Sequence, residues 1–94
     1  MAEKKCVQVR YRGHVQGVGF RFTVDRIAGQ FDLGGFVRNE SDGSVLLVAE
    51  GPKESVDSFI DEIESSELGG YINDKSVSEE PADGSHSNSF RIEY

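Results

Sequence analysis

The chain is poor in the residues that staple or metallate small proteins. A single cysteine, Cys6, rules out an intrachain disulfide framework and makes a reducing cytoplasm the simpler expectation. Two histidines, His14 and His86, lie too far from each other and from Cys6 for any zinc-ligand spacing. No apolar run approaches the ~20 residues of a membrane span, and the amino terminus lacks a signal-peptide pattern. Basic charge is also short: ten Lys and Arg against seventeen Asp and Glu give a net charge of −7. That balance argues against general nucleic-acid binding, which relies on a basic surface. Nothing suggests a second domain, so residues 1–94 are expected to form one domain, large enough for a core of its own.

The charge is unevenly spread. Residues 1–39 carry seven basic side chains against three acidic ones, and residues 40–94 carry three against fourteen. The basic half contains the most unusual stretch, Gly13-His14-Val15-Gln16-Gly17-Val18-Gly19-Phe20-Arg21. Three glycines in seven positions cannot pack a core. A glycine-rich turn between a strand and a helix can instead aim several backbone N–H groups into one small volume, which suits an anion. The glycine spacing does not match the dinucleotide fingerprint, and no Lys-Ser/Thr follows as a P-loop requires.

Periodicity supplies the frame. After a frayed start over residues 1–5, Val7, Val9 and Tyr11 alternate with Gln8, Arg10 and Arg12 as a half-buried strand. Phe20, Val24, Ile27, Ala28 and Phe31 follow helical spacing, with Asp32 in a left-handed position expected to end the helix. Residues 36–40 and 45–49 read as two strands joined by a tight turn at Asp42-Gly43. Pro52 suits the first turn of a second helix striped by Val56, Phe59, Ile60 and Ile63, which Leu68-Gly69-Gly70 breaks. The segment from Tyr71 is ambiguous, because Ile72 and Val77 fall on opposite strand phases; a strand is expected over residues 75–80. A polar loop over 81–89 and a short strand over 90–94 complete the chain. The expected fold class is α+β: a ferredoxin-like βαββαβ sandwich, an antiparallel sheet with two helices on one face.

In that topology the first two strands run parallel, so Asn39 reaches the same sheet edge as the glycine turn. Asn39 reads either as a carboxamide that holds a water beside a phosphate site or as an ordinary polar strand residue. Arg21 reads either as a surface helix residue or as a bidentate grip on phosphate oxygens. Cys6, seven residues before Gly13 on a strand, would lie roughly 23 Å from the turn, too far for a nucleophile. His14 reads as a loop spacer.

Residues 13–21 resemble the acylphosphatase signature Gly-x-Val-Gln-Gly-Val-x-Phe-Arg. Gly35-Phe36-Val37-Arg38-Asn39, continuing through Gly43, Val45 and Gly51, resembles that family's second signature. The resemblance covers essentially the whole chain and implies the same ferredoxin-like fold. It implies hydrolysis of a small acyl phosphate to carboxylate and inorganic phosphate. In that scheme Arg21 and the backbone amides of Gln16, Gly17, Val18, Gly19 and Phe20 bind the phosphoryl group, and Asn39 orients the attacking water. No cofactor or metal is expected, nor a nucleic-acid or membrane partner, and the protein is expected to be a cytoplasmic monomer. Three alternatives stay open: a carbamoyl-phosphate-handling domain like that which begins hydrogenase-maturation proteins, an RNA-binding ferredoxin-like module, and a non-catalytic phosphate-binding regulator. A free carboxyl terminus at Tyr94 favours the stand-alone enzyme over the first of these. Residues 17–22 bear a slight likeness to an RNA-recognition strand, but they precede a helix and the net charge has the wrong sign.

Overall fold

The computed structural model describes residues 3–86 and 89–94; the first two residues of the expected frayed start and residues 87–88 of the polar loop lie outside it. Strand β1 (Lys4–Gly13) leads through the glycine turn into helix α1 (Phe20–Ala28) and strand β2 (Gly34–Asn39). Strand β3 (Val45–Pro52), helix α2 (Lys53–Ser65), a 3-10 turn (Glu67–Tyr71), strand β4 (Ile72–Glu80) and strand β5 (Phe90–Glu93) follow. The sheet order is β4-β1-β3-β2-β5. The four long strands pair antiparallel, as the ferredoxin-like frame requires, and β5 adds a parallel neighbour to β2, so the sheet is mixed.

The apolar stripes decide which face the helices cover. Val7, Val9 and Tyr11 of β1, Val37 of β2, and Val45, Leu47 and Ala49 of β3 form one buried surface. Phe20, Val24 and Ile27 of α1 and Val56, Phe59 and Ile63 of α2 close over it. The opposite face is drier than alternation suggests, because Leu46, Val48 and Glu50 of β3 are also buried. Leu46 sits between Arg10 and Arg38 in the ladder, whose aliphatic stems can shield it. Glu50 accepts hydrogen bonds from the Gly84 and His86 amides at 2.7 and 2.9 Å, drawing the 81–86 segment across the sheet. No helix of the described residues is long and apolar enough to cross a membrane.

Three local expectations change. Strand β1 starts at Lys4, inside the region expected to fray, because Lys4 to Tyr11 pair continuously with β3. Helix α1 ends at Ala28 on a right-handed Gly29, and among the described residues only glycines have positive φ, so Asp32 is not left-handed. Strand β4 begins at Ile72 rather than Lys75. The opposed phases of Ile72 and Val77 arise from a bulge: Arg12 pairs with Asp74 and Gly13 with Ile72, leaving Asn73 as the extra residue.

Gly35 is the tightest point of the sheet. Its φ is +136°, and an added Cβ would lie 1.9 Å from the Val48 carbonyl oxygen on β3. Gly35→Ala is therefore expected to destabilise the fold by about 2–4 kcal/mol, read as a lowered urea midpoint.

Candidate active site

The loop between β1 and α1 is pinned at alternate positions. Val15 and Phe20 are buried and Val18 half-buried, whereas Gly17 and Gly19 are exposed. Gly17 and Gly19 have φ of 79° and 76°, and an added Cβ would meet nothing within 4 Å at either. Their requirement is conformational: the sign of φ alternates from Gln16 to Phe20, the arrangement that turns successive N–H groups toward one concavity. Among the described residues, the main-chain N–H groups of Gln16, Gly17, Val18 and Gly19 donate to no protein acceptor. They lead directly into the N-terminus of α1, which has no side-chain cap and no acidic residue in its first turn. Unpaired donors and the positive helix end thus face the same solvent.

Register brings Asn39 to this loop. Tyr11 pairs with Val45 and Val45 with Asn39, so the three residues stand level across β1, β3 and β2. Asn39 shares the helix-facing side with Val37, and its carboxamide has no protein hydrogen bond among the described residues. The link is tightened by Gln16, whose Nε2 donates to the Glu40 and Ser44 carbonyl oxygens, both at 2.8 Å. One carboxamide thereby ties the glycine loop to the hairpin that follows Asn39. Sequence reasoning credited Gln16 with its backbone amide alone; the available signal was a long hydrogen-bonding side chain in a turn otherwise built of glycine and valine.

Arg21 extends from the first turn of α1 to the other side of Asn39. Its Nη1 donates to the Glu93 carbonyl oxygen at 3.2 Å, and its guanidinium lies 4.9 Å from the centre of the Tyr94 ring. Glu93 is registered against Arg38, the residue before Asn39. The amide row, Arg21 and Asn39 therefore meet at one corner of the sheet.

The remaining basic residues do not gather there as free charge. Arg10 and Arg38 both bind Glu40, at 3.4 and 3.0 Å, and Arg38 also binds Glu93 at 3.2 Å. Arg12, Arg26 and Arg91 pair with Asp74, Glu67 and Glu93. Among the described residues, Arg21 is the arginine without a carboxylate partner. The hydrogen bonds from Ser44 to Asp42 hold that exposed carboxyl below its usual range and shape the hairpin.

Other titratable groups are structural. Tyr11 is fully buried; its hydroxyl donates to Glu64 at 3.0 Å, and burial, with the Glu64 charge, pushes the phenol far above its ordinary value. Cys6 is buried near the other end of β1, its thiol pushed up to about 11 by burial first and then by Glu50, Glu80 and Asp83. It is no nucleophile at neutral pH. His14 is exposed and packs its ring near Tyr71, and the His86 ring meets Phe36 edge-on.

Among the described residues, a glycine loop, an arginine without a carboxylate partner and a carboxamide without a hydrogen bond thus lie at one edge of a ferredoxin-like α+β sheet. The family model described as acylphosphatase matches residues 7–92, and the chain belongs to the acylphosphatase family. An acylphosphatase of Salinibacter ruber is 52% identical over 60 residues, 64% of this chain and 63% of that protein. One from Thermotoga maritima is 35% identical over 80 residues, 85% of this chain and 89% of that protein. The match covers slightly less than two thirds of the first relatives' length, 63% and 64%. The crystal structure of acylphosphatase from Bacillus subtilis superposes with a TM-score of 0.84 at 34% identity, covering 96% of this chain and 99% of that one. Full-length HypF in a phosphate- and nucleotide-bound form gives a TM-score of 0.87 at 29% identity, over all of this chain but 12% of that one.

Two outcomes are expected. Gln16→Leu removes two hydrogen bonds and should cost about 1–3 kcal/mol, with faster amide exchange at residues 16–19 and 40–44 by NMR. The Cys6 thiol, raised from 9.0 to about 11 in the fold, keeps its proton longer than in the unfolded chain. Its contribution to stability is complete below pH 9 and is lost as pH rises toward 11. Denaturant titrations should show wild type losing stability relative to Cys6→Ala across that window.

Proposed function

We infer that this chain hydrolyses small acyl phosphates to a carboxylate and inorganic phosphate. The observation that carries the reading is the meeting, at one sheet corner, of loop amides, an arginine and an asparagine carboxamide that have, among the described residues, no backbone acceptor, no carboxylate partner and no hydrogen bond respectively. The amides of Gln16 to Phe20 and the Arg21 guanidinium donate hydrogen bonds to the phosphoryl oxygens, spreading their charge over preorganised donors. The Asn39 carboxamide both accepts from and donates to a water, which fixes its orientation. Attack forms the bond from water oxygen to phosphorus opposite the acyl oxygen. The phosphorus–acyl oxygen bond breaks, its electron pair leaves on the carboxylate, and the water's proton passes to a phosphoryl oxygen.

Among the described residues, those gathered there supply donors, a cation and a carboxamide able to orient a water, but no nucleophile and no general base. That set suits an acyl phosphate, whose carboxylate is a good leaving group, because phosphoryl transfer depends mainly on positioning and charge stabilisation. Phosphate monoesters, whose uncatalysed hydrolysis is among the slowest known, demand far more. The other readings are less well supported. Relatives at 35–52% identity are acylphosphatases, which disfavours a carbamoyl-phosphate domain. Phe20 opens a helix rather than lying on a strand, and the sheet-face arginines are bound by Glu40 and Glu93, which disfavours an RNA platform. We read the protein as a cytoplasmic monomer of a single domain; its net charge of −7 supports a small-molecule substrate over a polyanion.

Arg21→Ala and Asn39→Ala should each lower kcat on an acyl phosphate by at least ~10²–10³. Competitive inhibition by inorganic phosphate should weaken in Arg21→Ala and persist in Asn39→Ala. Near-normal turnover by either folded variant, or wild-type preference for a phosphate monoester, overturns the assignment.

A further inference from the structure

A charged row crosses the sheet beneath the phosphoryl corner, on the face away from the helices. Arg10, Leu46, Arg38 and Glu93 stand level across β1, β3, β2 and β5, one step back from the row that ends in Asn39. Arg38 joins its charges. Its Nε donates to Glu40 at 3.0 Å and its Nη1 to Glu93 at 3.2 Å, and the guanidinium lies 5.1 Å from the centre of the Phe36 ring. The Arg38, Glu40 and Glu93 side chains are 37%, 23% and 26% exposed, so water screens these charges only in part.

The carboxylates that Arg38 grips belong to residues whose carbonyl oxygens hold the two halves of the phosphate grip. The Glu40 carbonyl accepts from Gln16, which ties down the glycine loop. The Glu93 carbonyl accepts from Arg21 Nη1, which aims that guanidinium and leaves its other N–H groups for phosphoryl oxygens. One arginine on the far face is thereby linked, through the main chain of two residues, to groups that meet at the corner.

The two ends do not depend on Arg38 equally. The hairpin keeps Arg10 on Glu40, and Gln16 on the Glu40 and Ser44 carbonyls. Strand β5 has four residues, lies at the sheet edge and pairs with β2 alone. The ion pair between Arg91 and Glu93, at 2.9 Å, stays within that strand. Among the described residues, Arg38 is the side chain that bonds Glu93 from another strand. Without it the Glu93 main chain, and with it the anchor of Arg21, is free to shift. A misplacement of about 1 Å at a positioning group can cost ~10² in rate.

We propose that Arg38 is a positioning residue for phosphoryl transfer: from the far face of the sheet it fixes Glu93, and through the Glu93 carbonyl it fixes the direction of the Arg21 guanidinium. The proposal rests on the acyl-phosphate reading above. Such support from behind the contacting groups is what holds a binding constellation to its productive geometry.

The test measures the dissociation constant of inorganic phosphate, by NMR titration of the loop amides, and kcat/KM for acetyl phosphate. The variants are Arg38→Met, Arg38→Lys and Glu93→Gln, each made in wild type and in Arg21→Ala. Arg38→Met should weaken phosphate binding about 5–30-fold and lower kcat/KM by a similar factor. Arg38→Lys keeps the charge but not the planar fork that reaches two carboxylates, and should fall between wild type and Arg38→Met. Glu93→Gln should resemble Arg38→Met, and carries the same test should Arg38→Met fail to fold. In Arg21→Ala the three substitutions should change phosphate binding less than about twofold, because the group they position is gone. Urea midpoints should move little, since these ion pairs are partly exposed. Unchanged phosphate binding in folded Arg38→Met, or an equal loss with and without Arg21, overturns the positioning role while leaving acyl-phosphate hydrolysis intact. A wild type that neither binds phosphate nor hydrolyses acetyl phosphate overturns both readings.

Discussion

The site depends on one alignment, the level row of Tyr11, Val45 and Asn39 across three strands. Because β3 is antiparallel to both neighbours, β1 and β2 run the same way and end at the same edge. Residues separated by 28 positions then lie about 10 Å apart, two strand spacings. A one-residue slip in the β2–β3 ladder would turn Asn39 to the opposite face. The buried rows of β3, closely packed on both faces, resist such a slip.

Once the edge is aligned, the loop must stay open without drifting. Its unpaired amides favour collapse onto any nearby acceptor or exchange with water. Val15 and Phe20 hold it from below through burial, and Gln16 holds it from the side through the Glu40 and Ser44 carbonyls. Bonding by the Gln16 side chain rather than its amide leaves the main-chain donors available. The same economy operates in the charges. Glu40 and Glu93 absorb Arg10, Arg38 and Arg91, leaving Arg21 as the arginine whose guanidinium, among the described residues, meets a carbonyl oxygen and a ring rather than a carboxylate.

Most of the frame was legible in the residues because the helical stripes and strand alternation are strong local signals. The places that were not legible have specific causes. Residues 72–74 looked phase-broken because a bulge opposite Gly13 inserts Asn73, and a bulge depends on the partner strand. Asp32 resembled a helix terminator, but α1 stops at Ala28, where Gly29 donates back to Asp25 and Ile27. Lys4 looked frayed until its pairing with Pro52 was in place.

What the sequence determined by itself is the chemistry at hand: a glycine loop able to alternate φ, an arginine at the start of a helix, an asparagine at the end of a strand. It also determined the order of elements, since periodicity is written in neighbouring residues. Tertiary structure decided which of these groups remain free. That Arg21 escapes every carboxylate among the described residues, and that Gln16 spends its side chain on the hairpin, depend on partners 24 to 72 residues away in sequence. Local pattern carries propensity; only the packed sheet sets who is near enough to pair.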